Sequence, residues 1–296
     1  MRKIGFFAIL ISGALWGIMG FFVRHLIALG LGQIQIIFMK MLIGMICIGG
    51  IILIKDRSLL KIRIKDFWIF AGCGIISMLG SNYCYYKAME YTTLAVAVVI
   101  LYIAPAVTML ASALLFKEKV TPAKIAALFI VFGGCICAGG LLSGEQTVTT
   151  VGLLLSLASG LFFGFNGIFS RFAVNRYYSP YTTAFYNMFF CFLGTLPFMD
   201  FSGLVAAVSA QMLLHSCGLG VLCAAVPYVV YTVGLRYIEP GEAAMLATSE
   251  LIVASFVSVL VFHEPFSLWL LLGTGLIILG ICIMNYNPRK KQSEIL

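Results

Sequence analysis

Ten runs of apolar residues, each about twenty long and separated by short polar stretches, leave this chain few folds to choose from. They fall at 4–23, 33–54, 67–86, 92–116, 122–142, 149–170, 180–198, 212–235, 241–262 and 267–286. A helix rising about 1.5 Å per residue needs about 20 residues to cross a hydrocarbon layer about 30 Å thick, and each run can supply them. A soluble core is excluded: 62% of the 296 residues are hydrophobic and 10% charged, where soluble domains carry about 25% charge. The same composition excludes a disordered chain, a collagen-like repeat and a secreted disulfide scaffold. The first run follows Arg2 and Lys3, as in a signal peptide, but it is too long for an h-region and no A-x-A-like cleavage site follows. The expected fold class is an all-α integral membrane protein with ten transmembrane helices.

Ten crossings put both ends on one side. That side carries Arg2, Lys3, Lys55, Arg57, Lys61, Arg63, Lys65, Lys117, Lys119, Lys124, Arg171, Arg176, Arg236, Arg289, Lys290 and Lys291. The other carries only Arg24 and Lys87, and Lys40 lies inside a run. By the positive-inside rule both termini are expected in the cytoplasm, in a multi-pass protein of the inner or plasma membrane. The net charge of +8 is thus spent on orientation and implies no nucleic-acid partner. All nine cysteines sit within apolar runs, without CxxC spacing beside a histidine, and read as small buried hydrophobes rather than as metal ligands or a disulfide framework.

The chain also matches itself. At a shift of 147, Ser12, Gly13, Gly17, Gly20, Phe22 and Arg24 meet Ser159, Gly160, Gly164, Gly167, Phe169 and Arg171. At a shift of 146, Gly72, Gly74, Tyr85 and Tyr91 meet Gly218, Gly220, Tyr231 and Tyr237. Farther on, Phe116 and Glu118 meet Phe262 and Glu264, and Gly134 meets Gly280. Residues 1–146 and 147–296 therefore read as two five-helix repeats. Five is odd, so the second copy must enter the membrane upside down relative to the first. Inverted repeats of this kind are a transporter architecture with substrate bound near the midplane, although channels and membrane enzymes are also internally duplicated.

Each half carries a recognisable string of motifs. The first has Ala14-Leu15-Trp16-Gly17, then Ala88-Met89-Glu90-Tyr91-Thr92-Thr93-Leu94-Ala95, Pro105 and Phe116-Lys117-Glu118. The second has Gly234-Leu235-Arg236-Tyr237-Ile238-Glu239-Pro240, then Glu250 and Phe262-His263-Glu264-Pro265. In order and spacing these resemble the drug/metabolite transporter superfamily, specifically its ten-helix EamA-like members, over nearly the whole chain. The resemblance implies a central cavity built from spans one to four and six to nine, with spans five and ten peripheral. It also implies transport of amino acids, nucleosides or other small metabolites by alternating access, often outward. Two positions depart from the family pattern. Lys40 stands where an arginine is frequent, a compact point charge in place of a bidentate fork. Glu250-Leu251 stands where Glu-Pro is frequent, so only Pro105 supplies a proline break.

Several residues could carry the chemistry. Glu250 lies ten residues past Pro240, about 15 Å along its helix and so near the midplane. A carboxylate there is costly and must face a cavity or a partner, as substrate ligand, proton carrier or structural carboxyl. Lys40, about 10 Å from the outer end of span two, either snorkels or serves as counter-ion to Glu250 or to an anionic substrate group. Pro105 removes one backbone hydrogen bond in mid-span and should kink span four, whether to line a site or only to fit the bundle. Trp16, Asn82, Tyr83, Tyr85, Tyr86 and Tyr102 in the first half, with Asn166, Tyr186, Asn187, Tyr228 and Tyr231 in the second, offer a polar and aromatic lining suited to a cation or zwitterion. Interfacial anchoring and interhelical hydrogen bonding are the competing uses of the same residues. Gly13-x-x-x-Gly17 and Gly160-x-x-x-Gly164 read as helix-packing faces. Arg236, Glu239 and Glu242, at the start of span nine, suit either a gate or a solvated network.

HExxH, GxSxG and Walker patterns are absent, so no metal site, cofactor or ATP-driven step is expected, and the chain reads as a non-enzyme. Coupling would come from protons or a counter-substrate. The expectation is a secondary transporter of small amino-acid-like, zwitterionic or cationic metabolites, exporting them across a lipid bilayer as a monomer or homodimer. The rival readings are an intramembrane lipid-modifying or lipid-flipping protein and a passive channel.

Overall fold

The computed structural model describes residues 1–88, 90–92, 94–138, 149–262 and 268–285, and every regular element among them is a helix. In chain order these are α1 (Arg2–Ala28), α2 (Gln33–Lys55), α3 (Ile64–Ala88) and α4, which runs as Leu94–Leu101 and Ala104–Phe116. There follow α5 (Pro122–Ala138), α6 (Thr150–Asn175), α7 (Pro180–Thr195), α8 (Ala210–Gly234), α9 (Pro240–Val261) and α10 (Leu268–Ile283). Seven of them, α1–α4, α6, α8 and α9, are long and apolar enough to cross a membrane. Helices α5 and α10 are shorter within the described residues, because the runs expected at 122–142 and 267–286 extend beyond them. Helix α7 has 16 residues and gains a 3₁₀ turn over Leu196–Phe198. The motif residues Met89, Thr93, His263, Glu264 and Pro265, and the basic residues Arg289, Lys290 and Lys291, lie outside the described residues.

Helix starts follow local chemistry. Pro122, Pro180 and Pro240 open α5, α7 and α9, where a missing N–H costs nothing. Thr149 and Ser209 cap α6 and α8 by accepting from the amides of Gly152 and Met212, each at 3.1 Å.

Eight helices close into a ring in the order α1, α8, α2, α7, α3, α6, α4, α9 and back to α1. Helices α5 and α10 pack on each other outside it, through Gly134 against Gly273 and Gly280 against Ala127 and Val131. This is the layout in which spans five and ten are peripheral. The main contacts of the ring come in matching pairs: α1 on α8 and α6 on α3, α1 on α9 and α6 on α4, α2 on α8 and α7 on α3.

The basic residues gather on one face, where they tie helix ends together. Arg2 pairs with Glu242, Lys124 with Glu239 and Arg176 with Asp66, and Arg171 donates to the carbonyl of Leu235. Arg236 reaches the carbonyl of Tyr178 rather than Glu239 or Glu242. Beyond the end of α4, burial raises the Glu118 carboxyl above its usual range, against the hydrogen bond from Ser112. Asp66 is the most enclosed of these carboxylates, and it also accepts from the Tyr178 hydroxyl at 2.6 Å. Arg176→Met would leave that carboxylate without its cation. The expected loss is about 1–3 kcal/mol, below the fully buried figure because Arg176 is 38% exposed, and is read as a lower melting temperature in detergent.

Candidate functional site

The site begins with two broken helices. In α4 the helix lapses at Tyr102 and Ile103, whose amides reach only three residues back, to Val99 at 3.2 Å and Ile100 at 3.1 Å. Pro105 opens the second piece, so the expected kink is present and local. Helix α9 lapses too, at Thr248, although no proline follows. There the Thr248 hydroxyl donates to the Met245 carbonyl at 2.6 Å while its amide reaches the same oxygen at 3.2 Å. A hydroxyl that claims a backbone acceptor loosens the helical ladder, as a proline does by lacking a donor. Thr248 is the residue 146 beyond Tyr102, so the two breaks fall at matching places. The proline alone therefore understates where this chain bends.

Glycines bring the breaks against the long helices. A Cβ on Gly17 of α1 would lie 2.6 Å from the Glu250 carbonyl oxygen of α9, and one on Gly13 would lie 3.0 Å from the Ala247 oxygen. On α6, Gly160 and Gly164 meet α4 in the same way, at the carbonyls of Leu101 and Ala104, each 3.1 Å from the added atom. The packing reading of both small-residue motifs holds, and what they pack is the pair of interrupted helices.

Two further irregularities recur. Residues Gly72–Gly80 of α3 and Val221–Ala225 of α8 form π-helical turns in the middle of otherwise α-helical spans. Shifting by 146 places the second within the first. Such insertions rotate everything that follows relative to a regular helix and are common at functional sites. Here they precede the inward-facing Tyr85 and Tyr86 of α3 and Tyr228 and Tyr231 of α8. The doublets Gly72-x-Gly74 and Gly218-x-Gly220 were the signal available in the sequence.

Inside the ring lies a cavity of about 20 Å³, room for about one water and not for a metabolite. Trp16, Tyr102, Asn166, Tyr231 and Glu250 line it, together with Pro105, Thr108 and Thr248. Trp16 packs on Tyr228 and Tyr231 with ring centroids at 5.3 and 5.5 Å. Phe163 of α6 also lines the cavity and stands 147 residues beyond Trp16; the repeat alignment could have found it. Glu250 is deep in the ring, lines the cavity and keeps some accessible surface.

Lys40 does not snorkel. It is 3% exposed, and its Nζ meets the Met19 thioether at 3.5 Å, beside Cys191 and Cys223. Among the described residues it forms no ion pair with Glu250. Gly220 packs on Ile43 and Gly44 as Gly74 packs on Phe190 and Cys191. That correspondence makes Asn187 of α7 the repeat counterpart of Lys40 of α2. Asn187 is 2% exposed and its side-chain oxygen has no hydrogen-bond partner.

The other expected residues divide. Tyr86 is buried and packs on Tyr85 at 5.7 Å, within the ring. Asn166 donates weakly to the Cys73 sulfur at 3.8 Å. Asn82 turns back to the Met78 carbonyl of its own helix at 2.5 Å, and Tyr186 donates to the Leu60 carbonyl near the basic face. Tyr83 is 47% exposed and is not brought to the cavity. Tyr83→Phe is accordingly expected to change transport and melting temperature by less than about 0.5 kcal/mol equivalent, measured beside wild type in the same liposomes.

Compared with known proteins, residues 3–139 and 150–286 each match the EamA-like transporter family. An uncharacterized transporter of Archaeoglobus fulgidus is 27% identical over 280 residues, covering 93% of this chain and 94% of its own. The uncharacterized transporter YxxF of Bacillus subtilis is 22% identical over 259 residues, covering 86% of this chain and 76% of its own. A solved crystal structure superposes with a TM-score of 0.83 at 18% identity, over 96% of this chain and 97% of that one, which establishes likeness of fold.

Proposed function

The chain belongs to the EamA-like transporter family, and on that footing we propose that it is a secondary transporter with ten spans arranged as two inverted five-helix repeats. Its substrates are small amino-acid-like metabolites, zwitterionic or cationic, moved by alternating access and outward, with both termini in the cytoplasm of the inner or plasma membrane. The observation that carries this reading is the small cavity inside the ring, lined among the described residues by one carboxylate, Glu250, and set between two helices that break at matching places. A cavity with room for about one water cannot hold the cargo as it stands, so loading requires the ring to open on one side. The helix breaks at Tyr102–Ile103 and at Thr248 are the places where α4 and α9 can bend. Helix contacts that repeat between the halves let the same bend be made toward either face, and that is what alternating access needs. Glu250 binds the cationic end of the cargo or carries a proton in its place, with Trp16, Tyr102 and Tyr231 offering ring faces beside it.

The test is flux in proteoliposomes with a pooled set of radiolabelled amino acids, with and without a proton gradient. Saturable uptake that is accelerated by unlabelled amino acid on the opposite side is expected. Flux that neither saturates nor shows counterflow would make the protein a channel. Chemical change of a lipid or cargo would make it an enzyme.

A further inference from the structure

The ring holds one cation and one anion, each without an ion-pair partner among the described residues, and they come from opposite halves. Lys40 is buried on α2, and among the described residues the hydrogen-bond partner of its ammonium is the thioether of Met19, a weak acceptor. Met19 lies three residues of α1 beyond Trp16, which lines the cavity with Glu250, so the ammonium meets α1 about one helical turn from the cavity wall. The repeat does not duplicate either charge. The counterpart of Lys40 is Asn187, and the counterpart of Glu250, 146 residues earlier, is Ala104. The site is therefore dipolar, although the helices around it are matched.

We infer that Lys40 is the anion subsite of the cargo site, and that the cargo is a zwitterion whose carboxylate, or other acidic group, pairs with Lys40 while its ammonium pairs with Glu250. This rests on the transport reading above and narrows it. A charge in so dry a place gains most from an opposite charge that arrives with its own partner, because neither is then left uncompensated. A simple amine would satisfy Glu250 and leave Lys40 both unpaired and repelled. A simple carboxylic acid would do the reverse. The geometry thus selects against the cationic cargo that Glu250 and the aromatic rings alone would accept.

The experiment uses three matched series with one apolar body each: leucine, phenylalanine and valine, their decarboxylated amines, and their deaminated acids. Each compound competes with the pooled labelled amino acids for counterflow through wild type, Lys40→Met and Lys40→Arg. In wild type the amino acid is expected to outcompete both its amine and its acid by at least about 30-fold. Lys40→Met should lose most of the preference over the amine, and Lys40→Arg, which keeps the charge, should retain it. Amines that compete as well as their amino acids in wild type overturn the inference whatever the variants do. So does a preference that survives Lys40→Met unchanged. Either result leaves the carrier reading standing. Absence of flux with every amino acid in wild type removes the amino-acid-like cargo itself, and this subsite with it.

Discussion

Glu250→Gln is expected to reduce counterflow at least about 100-fold while the protein still assembles and melts near the wild-type temperature. The amide keeps the shape of the carboxyl and its place in the cavity, so packing against Trp16, Tyr102 and Tyr231 is preserved. What it removes is the negative charge that would pair with the cationic group of the cargo. Truncating one member of a desolvated charge pair costs about 2–5 kcal/mol, and each 1.4 kcal/mol is about tenfold in affinity. Glu250→Asp, which keeps the charge and retracts it by one methylene, should recover part of the loss. If a proton gradient drives wild-type flux and the glutamine variant still exchanges cargo but ignores the gradient, Glu250 carries the proton. If it neither exchanges nor responds, Glu250 holds the cargo. Flux within about twofold of wild type would make the carboxyl structural and return attention to Asn166 and Asn187.

Much of this site could be read before any coordinates. Apolar run length located the helices, and the matches at shifts of 146 and 147 paired positions in the two halves; the same shift would also have paired Trp16 with Phe163, which the reading of the sequence passed over. Glu250 and Pro105 stood out because an intramembrane charge and a mid-span proline violate what a lipid-facing helix tolerates. Three things were not legible, for physical reasons. The break at Thr248 arises from a hydroxyl competing for a carbonyl, and threonines do this in some helices and not others. The π turns in α3 and α8 depend on what packs around Gly72–Gly80 and Val221–Ala225, and glycine doublets alone do not specify them. Tyr83 and Tyr86 could not be told apart by composition. They lie three residues apart on one helix, and only the neighbours decide that Tyr86 is enclosed while Tyr83 is 47% exposed.

The second large effect is expected at glycines that touch no cargo. Gly17→Leu puts a branched side chain where even a Cβ would stand 2.6 Å from both the Glu250 carbonyl oxygen and the Val253 Cβ. Backbone does not yield as a side-chain tip can, so α9 must move off α1, carrying Glu250 away from Trp16. Overpacking of this kind costs about 1–3 kcal/mol or more, and in this position it also dismantles the cavity wall. Transport should fall at least about 100-fold, with a lower melting temperature in detergent, and Gly164→Leu should do the same through Val107 and the Ala104 carbonyl of α4. Gly20 supplies the control. It lies one turn beyond Gly17 on α1, yet a Cβ there meets nothing within 4 Å, so Gly20→Leu should leave flux and melting close to wild type. Equal damage from Gly17→Leu and Gly20→Leu would mean that α1 dislikes bulk anywhere along its length. Damage confined to Gly17 and Gly164 would tie function to the close approach of the long helices α1 and α6 to the two helices that break, and that approach holds Glu250 at the cavity.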